Sequence, residues 1–232
     1  MPEPAPSPEL LRDLGRLLRG LSALFWGLPV SLVTCVHVAL KNRLEAQTSD
    51  FILPIIVNGV LLYGTWQIGY FHRQERIWLA SVDRVRMLAM VLTGLSPFLF
   101  WHTEVPDANV FYLATLLLAA FGLLFLYYLN HVMLRLAMML PDQGLQQETR
   151  LFTQLNQYLL VAIPFSLSLL SMVVALVQSG QLPSHWMRVL QQPQSANQWF
   201  FLLLTLLPVA TTMAILWKIK EVVFQSIFGS KS

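Results

Sequence analysis

Four histidines are the residues of this chain best placed for chemistry. His37 and His102 fall near one end of the first and third of its long apolar stretches, and His72 and His131 near the opposite end of the second and fourth. Two imidazoles toward each membrane face form the donor set of a di-haem b-type electron carrier, in which each iron takes one histidine from each of two helices. The surroundings weigh against that reading. His72 directly precedes Arg73 and His102 stands two residues before Glu104, which suits rings solvated among headgroups, and the leucine-rich stretches offer little glycine where a porphyrin has to fit.

Other chemistry has less to stand on. The single cysteine, Cys35, allows no intramolecular disulfide and no CxxC redox or zinc pattern. No GxSG, HExxH or paired-aspartate motif occurs, and Asp83, Asp107 and Asp142 stand apart where a lipid-headgroup transferase clusters its carboxylates. A proton pump or coupled transporter needs an ionisable group within the membrane, and no apolar stretch carries one away from its ends. Polarity inside the stretches comes from Ser31, Thr34, Asn58, Thr65, Thr93, Thr115, Ser166, Ser168, Ser171, Thr205, Thr211 and Thr212. Such groups serve first as helix-to-helix contacts. The expectation is a chain with no catalytic residues, no metal and no cofactor, haem b being the alternative.

The elements that must position these residues are six apolar stretches at 21–40, 51–71, 87–101, 110–129, 158–178 and 199–217. A span of about 30 Å of hydrocarbon takes about 20 such residues. With 56% hydrophobic and 12% charged residues in 232, the chain is far from the roughly 25% charged composition of soluble domains. The expected fold is all-α: a polytopic membrane protein of six transmembrane helices with amphipathic interfacial helices. The third stretch is short and holds Gly94 and Pro97, so it is the one that could be re-entrant.

Alternating the loops places twelve Lys and Arg residues on one side and only Lys41, Arg43 and Arg188 on the other. The positive-inside bias then puts both termini in the cytoplasm, in a bacterial inner membrane or an organellar one. Residues 1–8 read as a disordered proline-rich N-terminus, 9–20 as an amphipathic interfacial helix or, equally, a cytoplasmic extension of the first span, 21–224 as the six-span domain and 225–232 as a tail. Arg12, Arg16, Arg19, Arg76, Arg84 and Arg86 are the side chains expected to face anionic lipid at the cytoplasmic surface.

Surface stretches at 9–20, 73–86 and 145–158 precede the odd-numbered spans, each of which carries a proline: Pro29, Pro97 and Pro164, 68 and then 67 residues apart. Asp50, Asn109 and Asn197 stand before the returning spans as capping residues. The pattern describes three similar helical hairpins, which a triplication would produce. With so little chemistry available, the leading functional expectation is a non-catalytic membrane subunit, scaffold or assembly factor. Its partners would be the bilayer and other membrane chains, and not nucleic acid. A passive transporter or channel with a hydroxyl-lined path, opened at proline kinks, is the second reading and the di-haem carrier the third.

Overall fold

The computed structural model describes residues 8–40, 48–71, 75–140, 142–179 and 194–228. Among them there is no strand. The helices are α1 (Pro8–Leu40), α2 (Thr48–Ile68), α3 (Arg76–Leu95), α4 (Pro97–Glu104), α5 (Asn109–Met139), α6 (Gln143–Gln178) and α7 (Gln194–Phe228). Five segments are long and apolar enough to cross a membrane: Arg12–Val38, Asp50–Ile68, Arg76–Glu104, Asn109–Met139 and Gln143–Val173. At 35 residues, α7 has the length as well.

Residues 9–20, 76–86 and 145–158 each lie in one helix with the apolar residues that follow them. In α1 the buried positions Leu17, Leu21, Leu24 and Leu28 form one seam that starts in the amphipathic part and runs on into the apolar part. Nothing in the sequence interrupts it, and α1 is one helix from Pro8 to Leu40. Trp78, Val82, Val85, Ala89 and Leu92 do the same in α3. Pro29 and Pro164 lie inside unbroken helices.

At Pro97 the ring removes a backbone donor, and α3 gives way to α4 across Ser96. Ser96 keeps helical dihedrals (φ −57°, ψ −33°), its amide donates to the Leu92 carbonyl at 3.0 Å, and its hydroxyl donates to the Thr93 carbonyl at 2.8 Å. The third stretch is therefore one direction of chain with a joint in it. The expected caps sit slightly off position: Asp50 and Asn197 lie within the opening turns of α2 and α7, and Ala108 is the residue before α5.

Each long helix packs on the next in chain order, and α7 returns to α1, so the six make a closed ring. A contact between α5 and α7 crosses the ring, and α4 packs against α1, α2, α3 and α5. The core is aliphatic, with Trp78 and Phe125 its largest side chains. Edge-to-face contact of Phe71 with Trp78 (centroids 6.3 Å) braces α3 against the end of α2, and Phe25 meets Trp217 at 5.6 Å where α7 closes on α1.

Candidate functional site

The polar groups concentrate where α5, α6 and α7 meet. The buried seam of α6 runs Leu145, Thr149, Thr153, Asn156, Leu160 and Ile163, the three-and-four spacing of a helix face. Its centre is polar. Asn156 is wholly buried, as are Asn130 of α5 and Thr212 of α7. The Asn130 and Asn156 amide nitrogens each donate to the Thr212 hydroxyl oxygen, both at 2.9 Å. Thr212 in turn donates to the Pro208 carbonyl at 2.7 Å, and Asn130 makes a second bond to the Leu126 carbonyl at 2.7 Å.

This geometry fixes the orientation of the amides. A hydroxyl has one proton and two lone pairs, and Thr212 uses all three. The Leu126 carbonyl can only accept, so the Asn130 atom facing it is nitrogen. Both carboxamide oxygens, Asn130 Oδ1 and Asn156 Oδ1, are consequently turned away from Thr212, and both are buried without a hydrogen-bond partner among the described residues; so is the Thr153 hydroxyl.

One residue further along each helix, Gln157 donates to His131 Nδ1 at 3.2 Å, and the ring stacks on Tyr127 with centroids 5.0 Å apart. With Nδ1 accepting, the proton of a neutral His131 sits on Nε2. Ligation of iron through Nε2 would require the Gln157 amide to turn and accept from Nδ1–H instead. His37 is exposed in the last turn of α1, and His102 is half-buried in the last turn of α4, its ring 5.9 Å from that of Tyr112 and its Nδ1 buried without a hydrogen-bond partner among the described residues. His72 lies outside the described residues. No group of three or more His, Cys, Asp or Glu able to hold a metal occurs among the described residues.

The arginines divide into two sets. Arg12, Arg19, Arg76 and Arg84 are exposed. Arg16 and Arg86 are half-buried on aromatic side chains at the end of α2 and in the turn after it: Arg16 lies 4.6 Å from the ring centroid of Tyr70, in that turn, and Arg86 4.6 Å from that of Trp66, and the Trp66 indole donates to the Tyr70 hydroxyl at 3.1 Å. Asp83 pairs with Arg86 at 2.8 Å. These two side chains clamp α1 and α3 onto α2.

The hydroxyls considered for a path serve helix structure. Ser31 donates to Asn58 Oδ1 at 3.0 Å, joining α1 to α2, while Thr93, Thr115, Ser166, Ser168, Ser171 and Thr211 donate to carbonyls of their own helices. Ser168 and Ser171 face outward.

Asn130, Thr153, Asn156 and Gln157 were not singled out by sequence. Two adjacent polar pairs on consecutive helices, Asn130-His131 and Asn156-Gln157, are the signal that points to them. No family model, no curated protein and no solved structure matches this chain.

Proposed function

We propose that this protein is a multi-pass membrane subunit or scaffold, with both termini cytoplasmic in a bacterial inner membrane, that works without catalysis by packing against other membrane chains. The observation that carries this reading is the far half of α6. From Val161 to Met172 nearly every described side chain is exposed on all sides of the helix, among them Val161, Phe165, Leu167, Leu169 and Met172. An apolar helix with so little covering from its own chain offers a long surface to a neighbouring helix, and serines on it permit close approach. The exposed Arg12, Arg19, Arg76 and Arg84 support attachment of the opposite end to anionic headgroups. The polar groups support it in another way, since most of the hydroxyls bond to carbonyls of their own helices while those of Ser31 and Thr212 join neighbouring helices.

The test is affinity purification in mild detergent with identification of co-purifying membrane chains, followed by replacement of Phe165 and Leu169 with residues of different size. Stable co-purification that these changes weaken is the expected result. A monodisperse protein without partners that moves a solute across liposomes would overturn the proposal in favour of passive transport. A Soret band in protein from haem-supplied cells would favour the electron carrier.

A further inference from the structure

We infer that the junction of α5, α6 and α7 binds one water molecule as a structural ligand, held by Asn130 Oδ1, Asn156 Oδ1 and the Thr153 hydroxyl. The three atoms are buried and lack partners among the described residues, and their residues are at most 1% exposed. Leaving a buried acceptor unpaired is costly, so a group that can donate is called for. Hydrogen bonding inside the protein cannot supply one from Thr212, whose capacity is used by Asn130, Asn156 and Pro208.

The stoichiometry selects the occupant. Water carries two donors and two acceptor sites; it donates once to each carboxamide oxygen and accepts from Thr153, which makes the three bonds typical of an internal water. A monovalent cation is a poorer fit: three neutral oxygens supply no counter-charge, and burying an uncompensated ion costs far more than burying water. Thr149 and Thr153 continue the polar seam of α6 toward the paired Glu148 and Lys218. Lys218 is six residues beyond Thr212 and Glu148 eight before Asn156, a depth of about 9–12 Å at helical rise.

The ligand couples residues that are not hydrogen-bonded to each other. Thr153 and Asn130 share no hydrogen bond, so in a double-mutant cycle Thr153→Val and Asn130→Leu report on whatever lies between them. The expected result in the detergent-purified protein is that the Thr153→Val shift in thermal midpoint shrinks markedly when Asn130 is already Leu. Shifts that sum in the double variant overturn the inference. An experimental map of the unmodified protein supplies the second arm, for the case in which a variant does not fold. A solvent peak within hydrogen-bond distance of all three oxygens is expected, and a dry junction overturns the inference. So does a midpoint that rises with sodium, potassium or ammonium relative to choline at equal ionic strength, which would make the occupant a cation.

Discussion

Gly20 and Gly64 face each other where α1 packs on α2: a Cβ added to Gly20 would stand 2.9 Å from the Gly64 carbonyl oxygen, and one added to Gly64 would stand 3.1 Å from that of Gly20. The two backbones are in contact, with Ile68 and Leu24 closing over the glycines from either side. Between helices that share an apolar surrounding, close approach of this kind is a main source of attraction.

The first prediction follows directly. Gly20→Ala presses on Ile68 Cγ1 (2.8 Å) as well as on the Gly64 carbonyl (2.9 Å), and Gly64→Ala on Leu24 Cγ (2.9 Å) as well as on the Gly20 carbonyl (3.1 Å), so the helices must part. Each is expected to destabilise the protein by about 1–3 kcal/mol. Gly94 has nothing within 4 Å of an added Cβ, and Gly94→Ala, by improving the helix, is expected to be neutral or to stabilise by up to about 1 kcal/mol. Denaturation midpoints in detergent check the contrast; equal effects at Gly20 and Gly94 would sink it.

Thr212 is the acceptor shared by two helices. Thr212→Val keeps the shape but strands the Asn156 amide and one Asn130 bond, at an expected cost of about 1–3 kcal/mol. Thr212→Ser retains the hydroxyl and should stay much closer to the unmodified protein. If Val and Ser behave alike in thermal unfolding, the hydroxyl is not what joins α5, α6 and α7.

Arg135 reaches from α5 to the first turns of α3, donating to the Ile77 carbonyl at 2.8 Å and to the Ser81 hydroxyl. Both bonds leave the same nitrogen, Nη1, whose two protons the rigid guanidinium plane aims at the two acceptors, a geometry a lysine does not reproduce. Arg135→Lys and Arg135→Ala should therefore both lose stability, on the order of 1 kcal/mol, and speed backbone amide exchange in the first two turns of α3. Unchanged exchange at residues 77–81 would contradict this.

Lys218 of α7 pairs with Glu148 of α6 at an exposed position, the side chains being 42% and 50% exposed. Exposed pairs of this kind contribute about 0–1 kcal/mol and are screened by salt. Glu148→Gln should shift the midpoint slightly, and less at high ionic strength. A large, salt-independent loss would mean that the pair is buried in the working assembly.

Much of the architecture was legible in residue types. Leu17, Leu21, Leu24 and Leu28, like Trp78, Val82, Val85 and Ala89, announce helices through their spacing, because a helix must bring its apolar side chains to one face. The same seams misled about where elements divide. A charged stretch before an apolar one reads as a surface helix beside a span, yet a seam that continues without interruption makes one long helix of the two. Pro29, Pro97 and Pro164 look equivalent in sequence. Only at Pro97 does the helix divide.

The sequence by itself determined that the chain is helical and apolar, with long stretches that hold no charge in their middle, because hydrophobic periodicity and the lack of ionisable residues are properties of local composition. The tertiary structure alone decided which polar residues matter. Asn130, Asn156 and Thr212 are separated by tens of residues, and each taken singly is an ordinary helix residue; the closing of α6 and α7 on α5 brings them to one hydroxyl. It also decided that Arg16 and Arg86 lie on the rings of Tyr70 and Trp66 while Arg12 and Arg84 remain exposed. Partners in a fold are chosen by how helices cross, which no single stretch of sequence encodes.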